Sequence, residues 1–393
     1  MLRYTEAQET ICSHAHSFGK ETVSLDDAVG RVLFEKIFAD RDYPPFNRSA
    51  MDGFALKYAD VEKGIRHFKM IDTIYAGQSN EKQLHSGQCF KIMTGAAVPT
   101  EADLVIRKED AGEMSDLITI ETKPFKLFQH IAKKGEDVSA GKLVIDKPVV
   151  ITPSIISLLA ALGKGELVVE RLPRIAIITT GNEVRSIDSN PSSVQIRNSN
   201  ASLLKALIKK QLGLSVNVHH VPDDPNLLEH ALTKVLDADI IISSGGVSAG
   251  EADYVPHVLN RLGIQKIFHK VAIKPGKPIW CGRTSNNGIV FALPGNPLSC
   301  LVTFTIFVLP YLSACFQLPP SLPREYTLAE ERIKKSDFDE FFPVKFEDNS
   351  NQLRSVAFNG SGDIQAALFA DGLALHPYNK RVINHDNVGF FAI

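Results

Sequence analysis

The stretch RIAIITTGNE, residues 174–183, decides the fold. After Arg174 it runs Ile-Ala-Ile-Ile-Thr-Thr without a charge, then breaks into Gly-Asn-Glu. A continuous apolar run, rather than an alternating one, is the mark of a parallel strand buried on both faces. Residues 201–212 follow as a helix, with Leu203, Leu204, Leu207, Ile208 and Leu212 on one face and Gly213 behind it. Residues 216–221 read as a second strand ending in PDDP, where Asp224 caps and Pro225 opens the next helix. That helix carries Leu227, Leu228, Ala231, Leu232, Val235 and Leu236. Residues 238–243 are a third strand, ending in SSGGVSAGEADY. After another helix, residues 289–293 form a strand that ends in LPGNP and leads into a long apolar helix. Strands alternating with helices specify a doubly wound α/β domain.

On the N-terminal side the pattern differs. A helix is expected from Thr5, with Gln8 at capping-box spacing, and a short one over residues 24–29, closed by Gly30. The Pro pair in DRDYPPFNRSAMDGFAL forces extended backbone. Residues 68–74, 89–93, 104–107 and 117–120 read as strands of a β-rich insertion. Thr152, Pro153 and Gly163 bracket a further helix, expected to pack with the N-terminal helices. Beyond about Leu322, residues 344–346, 353–358 and 388–392 read as strands of a small terminal β domain. The expected class is an α/β plus β multidomain protein. Its parts are a helical linker domain (1–43 with 138–172), an inserted β-rich domain (44–137), the α/β domain (173–317) and a C-terminal β domain (318–393).

The chain has 393 residues, 44% hydrophobic and 22% charged, which suits several globular cores. Lys and Arg number 43 against 45 Asp and Glu, a formal net charge of -2. That balance argues against nucleic-acid binding, which needs a basic surface, but leaves room for a local anion site. Five cysteines, none in a CxxC pair, argue against a disulfide framework or a structural zinc. The opening MLRYTEAQET has no apolar core, so no secretory signal is expected, and the expected location is cytoplasmic. The apolar run 300–316 is short for a membrane span and contains Pro310, so it reads as a buried core helix.

Ligands of open α/β sheets sit beyond the carboxyl ends of the strands. Here those ends carry Glu183, Asp223, the glycine-rich Gly245, Gly246, Ser248 and Gly250, and the turn from Pro294 to Pro297. Backbone amides in a glycine-rich turn approach phosphate closely, although GGVSAG is neither a Walker A loop nor a dinucleotide fingerprint and by itself is no more than a turn. Lys270 and Lys274 share a face if HKVAIK is one extended strand, which suits a polyanion; a solvated strand edge is the plainer reading. Glu183, Asp223 and Asp253 are oxygen ligands of the kind Mg²⁺ takes, or else helix caps. Asp52, in SAMDGFA, is a charge among small and apolar residues and needs a partner or a function, unless it serves the Asp-Gly turn alone.

Taken together, PPFNRSAMDG (44–53), MTGAAVP (93–99), GEDV (135–138), TTGNEV (179–184), QIRNSN (195–200), SSGGVSAGEADY (243–254), AIKPGKP (272–278) and LPGNP (293–297) resemble the molybdopterin molybdenumtransferase family, which includes the C-terminal domain of gephyrin. The resemblance runs over nearly the whole chain. It implies a four-domain homodimer, with a cleft between the α/β domain of one subunit and the two β domains of the other. It implies insertion of molybdate into adenylylated molybdopterin (molybdopterin-AMP), with Mg²⁺ and loss of AMP. It carries Asp52, Thr94, Asp137, Glu183, Asp223, Asp253, Lys270, Lys274, Pro294, Pro297 and Ser361 as functional positions. Other cofactor-biosynthesis proteins are implied as partners. Two departures stand out. Asn182 takes a position often held by Asp, and KKSDFDEFFPVKF lacks the arginine that the family often has in its C-terminal domain, leaving Lys334 or Lys335 as substitutes. The rival readings are a molybdopterin adenylyltransferase, which the α/β domain alone resembles, and a non-catalytic scaffold.

Overall fold

The computed structural model describes residues 1–247, 254–320, 322–348 and 350–393. The chain forms two compact units. One comprises Met1–Phe34, Pro148–Pro153 and Glu166–Ile393; the other comprises Glu35–Lys147 and Ser154–Gly165.

The larger unit is built on a six-stranded sheet in the order Val218–Val221, Ile175–Thr180, Ile240–Ser244, Ile289–Leu293, Trp280–Arg283, Gln265–His269. The first four strands pair in parallel, and the last two are joined through antiparallel pairings. Strand order departs from chain order beside Ile175–Thr180, so the loops after the parallel strands open into a common crevice. The expected local signals operate here. Asp224 accepts from the amides of Asn226 at 2.8 Å and Leu227 at 2.9 Å, capping Pro225–Thr233. Gly213 ends Ser199–Leu212 in the left-handed conformation, φ 69°.

The apolar helical run Pro297–Cys315 has 78% of its most apolar window buried, so its hydrophobic surface is spent on the core. Phe304, Phe307 and Tyr311 are fully buried within it, the two phenylalanines each adding about 1.5–3 kcal/mol from burial. The first helix, Tyr4–Cys12, buries Tyr4, Ala7 and Ile11 in this same core. Its cap is Arg3 and not Thr5: the Glu6 carboxylate accepts from the Arg3 amide at 2.8 Å. Gln8, expected in that role, instead donates to the Ile306 carbonyl at 2.9 Å. The helix expected over residues 24–29 is also absent. Lys20–Ser24 is a strand, and the Ser24 hydroxyl takes the Asp27 amide at 3.2 Å, closing a turn where a helix would have started.

The C-terminal β segment closes a ring of five strands, Asp339–Phe346, Gln352–Ser355, Arg324–Leu328, Asn387–Ala392 and Gly372–His376. The short strand Ile273–Lys274 joins its edge in parallel, setting Lys274 opposite Glu340.

The smaller unit holds a six-stranded sheet in the order Leu104–Arg107, Gly53–Leu56, Gln88–Ile92, His67–Ile74, Leu117–Ile120, Ala111–Met114. The four strands expected from sequence are all present. Pro153–Ala161 is helical, as the Pro153 and Gly163 signals require. All five cysteines are free.

Candidate active site

The crevice of the larger unit holds a cavity of about 1370 Å³. Its wall includes Thr180, Glu183, Asp223, Gly245, Gly246, Lys274, Lys277, Pro294, Pro297 and Ser361. It also includes residues the sequence reading missed: Asn200, Asn296, Arg332 and Glu340. Of the expected phosphate and metal positions, Ser248, Gly250 and Asp253 lie outside the described residues.

Each loop is placed by local chemistry. Gly245 has φ +99°, and a Cβ there would meet the Thr180 hydroxyl at 2.8 Å and the Thr180 carbonyl at 2.9 Å. Only glycine lets the turn after Ile240–Ser244 lie this close to the end of Ile175–Thr180. Asn198 caps the helix Ser199–Leu212 by accepting from the Ala201 amide at 3.0 Å, and donates to the Thr179 hydroxyl at 2.8 Å. Asn200, buried, donates to the Ser244 hydroxyl at 2.8 Å and the Gly295 carbonyl at 2.6 Å, tying three loops together. The Asn296 amide donates to the Ser361 hydroxyl at 2.8 Å and joins the PGNP turn to the C-terminal β segment. Two buried acceptors, the Asn200 Oδ1 and the Thr180 hydroxyl, have no protein partner among the described residues. Buried polar atoms in a cavity wall with open hydrogen-bonding capacity are what a polar ligand satisfies.

Asp223 is set by a reciprocal pair. The Asn182 amide N–H donates to its Oδ2 at 3.0 Å, and Asn182 Oδ1 accepts from its backbone N–H at 3.1 Å. Glu183 and Asp223 line the cavity with Lys274, which lies on the short strand paired with the C-terminal ring.

Lys270 is a correction. Residues 270–274 are not one extended strand: Gln265–His269 ends, Lys270 adopts φ 66°, and the chain restarts at Ile273–Lys274. The two-residue alternation that set Lys270 beside Lys274 is broken there, and Lys277 rather than Lys270 joins Lys274 in the cavity wall. Lys334 and Lys335 are also corrected. Lys334 is buried and its ammonium donates to the Phe338 carbonyl at 2.7 Å; Lys335 is exposed and is not among the lining residues. Among the described lining residues, the cation that the C-terminal β segment presents is Arg332, on the strand Glu331–Ile333.

Arg332 sits in a dense network. Its NH2 donates to Glu340 Oε2 at 2.9 Å, its NH1 to His376 Nδ1 at 2.8 Å, and its guanidinium carbon lies 4.0 Å from the Phe342 ring centre. Glu340 Oε1 also accepts from the Ser336 hydroxyl at 2.8 Å and Lys274 at 3.3 Å. Burial opposes ionisation of Glu340, but hydrogen bonds from Ser336 and Arg332 and the charges of Arg332 and Lys274 hold its pKa below the usual range. His376 is 0% exposed, and burial, with the charges of Arg332 and Lys334, pushes its pKa down to about 4.

This histidine makes stability pH-dependent. Between its unfolded pKa of about 6.5 and the folded value, the unfolded chain binds a proton that the folded chain does not. Its contribution is therefore whole above about pH 6.5, falls as pH drops to about 4, and is constant below that. The difference across the window is on the order of 3 kcal/mol. Denaturant titrations at stepped pH should show a shallower acid limb for His376→Gln than for the wild type; parallel limbs refute the assignment.

The smaller unit holds its own polar cluster. Gly53 pairs with Ile92, so Asp52 and Thr94 emerge side by side where the two strands end. The Thr94 amide and hydroxyl each donate to Asp52 Oδ1 at 2.7 Å. These bonds, the hydroxyl's first, hold the Asp52 pKa below the usual carboxylate range, with Lys108 adding to the effect. Asp137 lies on an exposed bend, its amide donating to the Tyr43 carbonyl at 3.0 Å.

Comparison with known proteins matches this arrangement. Residues 2–163 match the family model of the MoeA N-terminal region (domain I and II), and residues 176–314 match that of the probable molybdopterin binding domain. A molybdopterin molybdenumtransferase of Synechocystis sp. is 32% identical over 386 residues, covering 97% of this chain and 96% of that one. Another, of Staphylococcus aureus, is 33% identical over 389 residues, covering 96% of this chain and 91% of that one. The crystal structure of a molybdopterin biosynthesis moeA protein from Pyrococcus horikoshii OT3 aligns with a TM-score of 0.86 at 26% identity and covers all of both chains. Near-complete coverage at this identity, together with the shared architecture, establishes that the chain belongs to the molybdopterin molybdenumtransferase family.

Proposed function

We propose that the cavity binds adenylylated molybdopterin together with molybdate, and that the protein inserts the metal with release of AMP. The observation that carries this reading is the cavity wall itself. It combines carboxylates at Glu183 and Asp223, a glycine turn at Gly245 and Gly246, cationic Lys274, and the polar PGNP turn. In this reading the glycine amides and Lys274 neutralise the pyrophosphate, while the Pro294–Pro297 turn and Ser361 hold the pterin-bearing half. Molybdate, also an anion, is received close to the dithiolene. Asp52, Thr94 and Asp137 serve the same reaction, with Asp52 and Asp137 orienting water or substrate at the reacting centre.

Glu183 and Asp223 offer an oxygen donor set that suits Mg²⁺, which binds through one or two carboxylates and keeps several waters. Among the described residues no cluster of three or more acidic, histidine or cysteine side chains gathers, so these two are the described candidates to hold it, with Asp253 as the third expected ligand. When bound, Mg²⁺ supplies charge stabilisation to the phosphate oxygens and the departing AMP. The free state of all five cysteines accords with a reducing, cytoplasmic location, and the active form is proposed to be a homodimer.

AMP release from adenylylated molybdopterin tests the reading. Release is expected only when molybdate and Mg²⁺ are both present, and chelation of the metal should remove it. Consumption of ATP with free molybdopterin would point to an adenylyltransferase instead. No release from folded protein would leave a scaffold.

A further inference from the structure

The cavity wall contains several cations, but they are not equally prepared to bind. Arg197 is exposed and its guanidinium is turned onto the carbonyls of Ile187 and Ser189, both at 3.1 Å. The Lys274 side chain is 64% exposed, so it retains most of its rotamer freedom. The Arg332 side chain is 19% exposed and is held from two sides and one face.

The hold on Arg332 has a definite chemistry. His376 Nε2 lies 2.9 Å from the Lys380 carbonyl, which only accepts, so that nitrogen carries the proton. Nδ1 is then a lone-pair acceptor and takes Arg332 NH1. Burial keeps His376 neutral near pH 7, so it orients the guanidinium without repelling it. Glu340 takes NH2, and its other oxygen is spent on Ser336 and Lys274. A guanidinium has five N–H donors, and among the described residues two are used. Glu340 carries one negative charge against two cations, so the Arg332–Lys274–Glu340 group leaves one net positive charge at the cavity wall.

We propose that Arg332 is the fixed oxyanion-binding residue of this cavity, contacting a tetrahedral oxyanion, and that Glu340 and His376 are its positioning residues. The inference rests on the transferase reading for its ligand, because that substrate pair offers two such groups, a phosphate and molybdate. A cation already oriented needs no reorganisation when the anion arrives, which is where its binding advantage over Lys274 and Arg197 lies.

Calorimetric titration of the full chain with inorganic phosphate and, separately, with molybdate tests this. Arg332→Met alone strands a buried carboxylate, so the decisive variant is Arg332→Met/Glu340→Gln, which removes both charges. It should fold with a melting temperature near that of the wild type and bind at least one of the two oxyanions about tenfold more weakly or worse. The oxyanion whose binding falls identifies the group that Arg332 contacts. His376→Leu should also weaken binding, and His376→Gln, which keeps an acceptor for the guanidinium, should restore most of it; a purely structural role would not distinguish the two. Unchanged binding of both oxyanions in the folded double variant overturns the proposal, as does a wild type that binds neither. Failure of the transferase reading looks different: the wild type would bind phosphate but release no AMP from adenylylated molybdopterin.

Discussion

Asp52→Ala is expected to lower molybdenum transfer by about 10²-fold or more, the scale on which misplaced reacting groups cost rate, while leaving the melting temperature near that of the wild type. Asp52 is half-buried and ionised, and it is held by the neutral donors of Thr94 rather than by a salt bridge. Two bonds at 2.7 Å fix one of its oxygens and leave the other available. Such a carboxylate contributes little to the sheet, whose strands are joined by backbone bonds starting at Gly53. The low pKa has a consequence that can be measured. Asp52 keeps its charge down to acidic pH, and loses it as pH falls through its depressed folded value. Thr94→Val removes the hydroxyl bond, the largest cause of that depression, so the acid limb of the activity profile should move up in pH. Wild-type activity in Asp52→Ala sinks the assignment of Asp52.

One residue further on, Gly53→Ala should do the opposite and damage the fold. A Cβ at Gly53 would lie 1.9 Å from the Ile106 carbonyl oxygen and 3.0 Å from the Arg107 Cα. Those atoms are backbone of a paired strand, so no side chain can swing aside. Gly53–Leu56 is hydrogen-bonded on both sides, to Gln88–Ile92 and to the edge strand Leu104–Arg107, so relief of the clash must break its pairing with that edge strand. The expected cost is about 4 kcal/mol or more, in the range reserved for severe backbone conflicts. Hydrogen exchange would read it as lost amide protection in these three strands. Protection equal to the wild type would show that the added methyl is accommodated without loss of strand pairing. The MDG turn thus places a residue for chemistry beside a residue for fold, and the two variants separate the roles.

The α/β part of the fold was legible because its signals are local. An uncharged run of Ile and Thr, a cap at Asp224 followed by Pro225, and a glycine after Leu212 each act within a few residues. The same holds for the four strands of the β-rich insertion. Where local rules competed, the reading failed. Ser24 can cap a helix or close a turn with the same hydroxyl, and here it closes the turn onto Asp27. Thr5 has the right partner spacing, but Arg3 and Glu6 make the cap, and Gln8 is drawn off by the Ile306 carbonyl almost three hundred residues away.

The site divides along the same line. Glu183, Asp223, Gly245, Gly246, Pro294 and Pro297 could be found because strand ends of an α/β sheet are a known address, and the residues there stand out in the chain. The family itself could be named from motifs in order along the chain. The register of Gly53 against Ile92 was needed to bring Asp52 to Thr94. The positive φ at Lys270 was needed to remove it from the face of Lys274. Arg332 was passed over because nothing within EERIKK distinguishes it. Its partners, Glu340 and His376, lie eight and 44 residues on, and Lys274 comes from another sheet edge. Sequence alone determined the element types, the family and the strand-end residues, since each depends on neighbours a few bonds away or on ordered motifs. Tertiary structure decided which of the cavity's cations is held fixed, because orientation in a buried network is set by partners that only the closed sheet brings within 3 Å.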